Sequence, residues 1–281
     1  MTAETDQLVA KVRESDIQDL ERDGAICLRG MFGQKWRDLI AEGIESDLKN
    51  PGPYGRTQSD PDDPGFFFTD YYMWRHVPEL KRFAVEGPGG AIAARLIRSK
   101  QVNYFFDGLF VKDAGTKKPT NWHQDQVYYN VNGNQIVVLW IPLDPVTKET
   151  CLSFVRGSHK WGKSFIPILI KGNKVPQGLG PEFEPAPDVE ANRDKYDVAA
   201  WDMEPGDCIA FHPMMLHGAA GNTLKIRRRA LQSTWLGDDC VYGARQVEVE
   251  PRIEGRVFQN GERLTDPAIF PQVWPRPDAQ A

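Results

Sequence analysis

The chain has 281 residues, 41% hydrophobic and 26% charged, with a formal net charge of −5, a composition ordinary for a globular protein. Scattered Lys and Arg argue against a nucleic-acid partner, and no apolar run approaches the roughly 20 residues of a membrane span. The four cysteines, Cys27, Cys151, Cys208 and Cys240, form no Cys-x-x-Cys pair, so they read as small buried hydrophobes rather than as a zinc ribbon or a disulfide framework.

Residues 1–6 are polar and acidic, and 278–281 carry no targeting signal. A cytoplasmic protein is therefore expected. Residues 14–50 predict helix, short strand, helix. Asp16 is the expected cap of the first helix, Asp23-Gly24 its end, 25–30 the strand, and 36–48 a second helix with Leu39, Ile40 and Ile44 on one side. Residues 50–65 are rich in Pro, Gly and Asp and read as a loop. The aromatic cluster that follows (Phe66, Phe67, Phe68, Tyr71, Tyr72, Trp74) reads as core first and pocket wall second. Residues 78–98 are helical with a break at Gly87-Pro88-Gly89-Gly90.

From there the pattern changes to period two. Strands are predicted at 102–111, 135–143, 152–155, 207–211 and 229–236, separated by Gly, Pro and Asp turns, as in an antiparallel barrel or jelly roll. Residues 160–204 interrupt the series and have the irregular composition of a lid. No repeat or boundary divides the chain. One domain, 1–281, is expected: helical support at 14–100, β core at 101–240 and a C-terminal extension at 241–281.

Within the β region the run Asn-Trp-His-Gln-Asp-Gln-Val-Tyr-Tyr-Asn occupies 121–130. Read as a strand, it projects His123 and Asp125 from one face and Trp122 and Gln124 from the other. An imidazole and a carboxylate so placed are two of the three ligands of a two-His, one-carboxylate iron triad. The chain has five histidines. His217, between a strand end and the Gly218-Ala219-Ala220-Gly221 turn, is the favoured third ligand. His212 is its rival, although its place before Pro213 suits a hydrogen-bonded core residue. Arg228, on the strand after His217, is placed to hold the far carboxylate of a metal-chelating dicarboxylate. Arg227 and Arg229 read as solvated basic face. Strand parity turns Tyr129 inward and Tyr128 outward. It also sets Phe106, Gly108 and Phe110 in phase with Lys112, an aromatic wall with a gap at glycine that suits a compact apolar or cationic substrate.

His123-x-Asp125, Gly157-Ser158-His159, His217 with Asn222, and Arg228 followed by Arg229-Ala230-Leu231 together resemble the phytanoyl-CoA dioxygenase family of Fe(II)- and 2-oxoglutarate-dependent oxygenases. The likeness runs from about 14 to 240. It includes Asp23-Gly24, Lys112 as the family's strand lysine, and Val138-Leu139-Trp140-Ile141-Pro142-Leu143-Asp144. The resemblance implies a mainly β double-stranded β-helix, or jelly roll, braced by N-terminal helices. It implies Fe(II) on His123, Asp125 and His217, 2-oxoglutarate held by Arg228 and Lys112, and O2 as the second cosubstrate. Phe106, Phe110 and Tyr129 become the expected substrate contacts, with His159 structural. The implied reaction is hydroxylation of an unactivated C–H bond of a small molecule, with release of succinate and CO2. Desaturation, epimerisation or ring formation at the same centre is the alternative. A non-catalytic jelly-roll binding protein and a zinc hydrolase are rivals that would not need Arg228. Two departures stand out: Glu149-Thr150 where relatives often have Asn-Gly, and Ala219 in place of a frequent Ser. The substrate and the oligomeric state are not legible.

Overall fold

The computed structural model describes residues 3–168, 170, 175, 179–245 and 252–277. Its helices are Ala3–Lys11 (α1), Glu14–Asp23 (α2), Gln34–Lys49 (α3), Pro78–Glu86 (α4) and Gly89–Leu96 (α5). In chain order the strands begin with Ala25–Leu28 (β1), Arg56–Thr57 (β2), Phe67–Tyr71 (β3), Val102–Lys112 (β4), Thr120–His123 (β5), Val131–Asn132 (β6), Ile136–Pro142 (β7) and Leu152–Val155 (β8). They continue with Ser164–Phe165 (β9), Phe183–Glu184 (β10), Val198–Ala199 (β11), Cys208–Phe211 (β12), His217–Ala219 (β13), Arg228–Leu236 (β14), Val241–Tyr242 (β15) and Gln272–Trp274 (β16).

The larger sheet is ordered β1-β12-β7-β14-β4-β3-β2, with β16 on the start of β4, and the smaller is β11-β8-β13-β5. Every pairing in both is antiparallel. The two sheets and the bracing helices make the expected jelly roll. Strand β7 shows why the order of layers follows from sequence. All seven of its residues are buried, because the larger sheet is covered on both faces. Val138 and Trp140 join Phe154, Ile209 and Phe211 in the core between the sheets. Val137, Leu139 and Ile141 pack in the opposite direction, with Ile40, Ile44, Leu80 and Phe83 of the helices.

Local signals set several boundaries and mislead at others. Gly24 ends α2 in the left-handed region, at φ 82°. A Cβ there would also lie 2.1 Å from Met215 Sδ, so both conformation and space require glycine. Asp16 is not the cap of α2. It stands at the third helical position, where its carboxylate accepts the backbone N–H of Arg13 at 2.8 Å. Helix α1 carried no clear signal among polar residues, and Leu8 on it is buried. The C-terminal extension folds back onto the body through β16 and the buried Phe258, Leu264, Ile269, Phe270 and Val273. Residues 160–204 are not uniformly irregular. Strand β11 at their end pairs with β8, and β9 pairs with β10 in parallel. Residues 169, 171–174 and 176–178 of this stretch lie outside the described residues. No helix among the described residues is long and apolar enough to cross a membrane.

Asp107 on β4 is buried on the helix side of the sheet and accepts the backbone N–H of Trp74 at 3.1 Å. Burial pushes its carboxyl up to about 7. The folded state therefore keeps a proton that the unfolded chain releases in the ordinary carboxylate range, and stability falls as pH rises through that window to about 7. Asp107→Asn keeps an acceptor and removes the charge. Its expected effect on the metal-free protein is a higher melting temperature at pH 8, by several degrees at about 2–4 °C per kcal/mol, and a markedly smaller rise at pH 5. Equal shifts at both pH values would contradict this reading.

Candidate active site

Between the sheets, at the side walled by β3, β4, β5, β13 and β14, lies a cavity of about 560 Å³. His123, Asp125, His217, Gln232 and Arg228 all line it. Antiparallel pairing sets His217 on β13 directly opposite His123 on β5. Their rings are 4.2 Å apart, centroid to centroid. Asp125 Oδ1 stands 3.1 Å from His123 Nε2 and 3.6 Å from His217 Nε2. An ion with bonds of about 2.1 Å holds ligands at right angles about 3 Å apart, so the donor atoms are spaced to share one ion. Both rings are fixed from behind. Nδ1 of His123 donates to the Asn121 carbonyl at 2.7 Å, and Nδ1 of His217 to the Met215 carbonyl at 2.9 Å. Each Nε2 lone pair is thereby left for a metal.

Electrostatics suit His217 and Asp125 to that task. Burial, with His123 alongside, pushes His217 down to about 4. It keeps the ring neutral, as a metal ligand must be. Burial alone would raise Asp125, but His217 and His123 hold it below the usual carboxylate range. Burial also opposes the charged form of His123, and the bond to Asp125 outweighs it, so His123 is raised.

The expected strand at 121–130 stops at His123. Asp125 has helical backbone angles and opens a 3-10 turn, Gln126–Tyr128. Convergence of His123 and Asp125 therefore comes from the bend after β5, not from strand parity. Trp122 and Gln124 do face away. Trp122 Nε1 donates to Glu190 at 3.0 Å, and Gln124 bonds Lys163, Met214 and Phe165, fastening β5 to neighbouring loops. The turn also corrects the expectation for Tyr128, which lines the cavity together with Tyr129. Phe106 and Phe110 line it as expected, but the gap at Gly108 is filled by the Tyr71 ring, 3.3 Å from a Cβ built there.

His212 stands outside this group. Its Nδ1 accepts the backbone N–H of Met214 at 3.1 Å, and its ring lies 5.6 Å from that of His159. Arg228, opposite Lys112 in the sheet, is 2% exposed. Its Nη1 donates to the Thr150 carbonyl, while its Nε has no hydrogen-bond partner. Among the described residues no carboxylate lies within ion-pair distance of it, and burial pushes its guanidinium down to about 10. A buried cation facing a cavity without a counter-charge is costly unless an anion joins it. Lys112 does not reach the cavity wall. Its ammonium donates to the Ala220 carbonyl at 2.9 Å and lies over the Phe67 ring. Burial, then Arg228 beside it, lowers it well below the usual lysine range. Arg229 is not a free solvated cation, since it pairs with Asp144 and Glu45, whereas Arg227 pairs with Asp113 at the surface.

Sequence reasoning missed Gln232, whose Nε2 donates to Asp125 Oδ2 at 3.0 Å. It lies in phase with Arg228 on β14, so the period-two signal that found the arginine also pointed to it. Leucine at 232 frees Asp125 to rotate. The expected result of Gln232→Leu is iron affinity lower by about 10- to 100-fold, read by Fe(II) titration under argon, with the fold retained by circular dichroism. Unchanged affinity would mean that β5 and its bend orient Asp125 unaided.

Two imidazoles and a carboxylate on one wall of a jelly-roll cavity, with a buried arginine on the next strand, form the layout of a mononuclear iron oxygenase. The chain belongs to the phytanoyl-CoA dioxygenase (PhyH) family, whose sequence profile matches residues 20–230. That family uses Fe(II), 2-oxoglutarate and O2, and the donor set found here fits such an ion. The human peroxisomal phytanoyl-CoA dioxygenase is 26% identical over 153 residues, which are 51% of this chain and 42% of the human protein. A probable phytanoyl-CoA dioxygenase of Caenorhabditis elegans is 27% identical over 133 residues, 46% of this chain and 38% of that protein. The chain thus matches less than half the length of these curated relatives. Among solved structures, the α-ketoglutarate-dependent carbocyclase SnoK of nogalamycin biosynthesis shares the fold at TM-score 0.73 and 18% identity, covering 94% of this chain and 98% of its own. EctD from S. alaskensis, solved with 2-oxoglutarate and 5-hydroxyectoine, does so at TM-score 0.62 and 15% identity, over 85% of this chain and 88% of its own.

Proposed function

We propose that this chain is an Fe(II)- and 2-oxoglutarate-dependent oxygenase that hydroxylates an unactivated C–H bond of a small molecule, releasing succinate and CO2. The observation that carries the reading is one cavity lined by His123, Asp125, His217 and the uncompensated Arg228. Iron and 2-oxoglutarate, when bound, supply the oxidising power through decarboxylation of the cosubstrate. His123 and His217 present Nε2, Asp125 presents Oδ1, and Gln232 holds the other carboxylate oxygen in place. Arg228 is assigned the distal carboxylate of 2-oxoglutarate, a charge-assisted contact that its unpartnered Nε can accommodate. Lys112 is assigned a supporting electrostatic part next to Arg228 rather than direct contact.

Tyr71, Phe106, Phe110, Tyr128 and Tyr129 wall the space beside the triad. They are assigned to hold a compact substrate close to the metal and to exclude water. Gln58 and Asp60, from the loop around β2, give the same cavity a polar margin. Ring closure or epimerisation at the same centre is the second reading, and it takes its support from the carbocyclase SnoK and the epimerase SnoN among the fold's relatives. The test is succinate release from the iron-loaded protein across a panel of small metabolites, followed by mass analysis of the product. Substrate-dependent succinate with a gain of one oxygen atom supports hydroxylation. A product of unchanged mass points to epimerisation, and loss of two hydrogens to ring closure or desaturation. Absence of 2-oxoglutarate turnover with every compound and without any would remove the oxygenase reading.

A further inference from the structure

A second group of ligand-type side chains lies on the other face of the larger sheet. Asp47 of α3, Asp70 of β3 and His76, just after a 3-10 turn, each offer one ligand atom, all within 4.8 Å of one another. Asp47 and Asp70 are fully buried, whereas the His76 side chain is 31% exposed and gives the group an edge toward solvent. Asp47 Oδ1 is 3.2 Å from His76 Nε2, again close to the spacing of neighbouring ligands on one ion. Asp47 Oδ2, also buried, has no hydrogen-bond partner. Asp70 is oriented by two backbone donors, Tyr71 N–H on Oδ1 and Gly52 N–H on Oδ2, both at 2.7 Å.

The charge balance of this group is unfavourable as it stands. Among the described residues, His76 is the one ion-pair partner of Asp47. Burial, then Asp70 and Asp107 nearby, pushes Asp47 up to about 8, and burial raises Asp70 as well. Adjacent buried carboxylates are stable only with a proton or a cation between them. Two carboxylate oxygens and an imidazole nitrogen, with further positions open toward solvent, suit a first-row divalent cation.

We propose that Asp47, Asp70 and His76 form a divalent-cation site separate from the His123, Asp125 and His217 centre. Its place in the fold gives it a structural task. Asp70 also holds Gly52, where a Cβ would come within 2.5 Å of His76 Cε1, so the loop from 50 to 65 can approach the site only through glycine. That loop carries Gln58 and Asp60 to the cavity. A cation here fastens α3, β3 and the cavity's polar margin to one another.

The test is a titration of the metal-free, full-length protein with Mn2+ alone, followed by calorimetry and by water-proton relaxation. Two ions per chain are expected for the natural sequence, one for Asp47→Asn, one for His76→Gln, one for His217→Ala, and none for His76→Gln with His217→Ala. His76 is partly exposed, so its variant keeps the test valid if Asp47→Asn does not fold. A single ion in the natural protein, unaffected by Asp47→Asn or His76→Gln, overturns the proposal and leaves the two carboxylates sharing a proton. Loss of both ions in His76→Gln would also overturn it, because the sites would then not be separate.

Discussion

His217→Ala is expected to lower iron affinity by well over a hundredfold and to take 2-oxoglutarate turnover to background. Changes to residues that merely orient a ligand already cost about 10- to 100-fold, and this one deletes the ligand. The reasoning rests on place: His217 faces His123 across the β5–β13 pairing and presents Nε2 to Asp125, with Nδ1 committed to the Met215 carbonyl. His212→Ala is the control. That ring bonds the backbone at Met214 and lies near His159, so its loss should affect stability and spare iron binding. If His212→Ala abolished iron-dependent turnover and His217→Ala did not, the third ligand would have to be reassigned.

Arg228→Ala is expected to raise the 2-oxoglutarate concentration needed for half-maximal turnover by about 10- to 150-fold, the equivalent of a charge-assisted hydrogen bond worth about 1.5–3 kcal/mol. Iron affinity in the absence of 2-oxoglutarate should stay the same, since Arg228 touches none of the three proposed ligands. The Thr150 carbonyl loses its buried donor in this variant, so some loss of stability is expected too. Measuring iron and 2-oxoglutarate binding separately tells the two effects apart. An unchanged 2-oxoglutarate requirement would show that Arg228 serves only the Thr150 turn.

Much of this site was legible because the relevant signals are local. The His-x-Asp motif and the strand-then-turn setting of His217 are short runs of sequence, and the in-phase positions on β4 and β14 follow the period-two geometry of a strand. What escaped depends on contacts between distant segments. The bend after His123 follows from packing of the Gln126–Tyr128 turn, where Gln126 N–H donates to the Pro213 carbonyl at 3.1 Å. No property of residues 121–130 alone announces that bond, so strand parity turns Tyr128 outward where the structure turns it in. Tyr71 fills the space over Gly108 because β3 pairs with β4, and an aromatic cluster read along the chain could not reveal which ring faces the cavity. The family resemblance marks Lys112 as a cosubstrate residue, yet its ammonium is committed to the Ala220 carbonyl. In the fold, β7 read plainly as a strand, while α1 was hidden because a short polar helix depends on tertiary packing for its stability.

The most direct test of the account is anaerobic titration of the metal-free protein with Fe(II) and then 2-oxoglutarate, watched in the visible spectrum. A weak charge-transfer band should appear only when both are present, and vanish in His217→Ala. Absence of the band at saturating iron and 2-oxoglutarate, or its persistence undiminished in His217→Ala, would contradict the proposed centre.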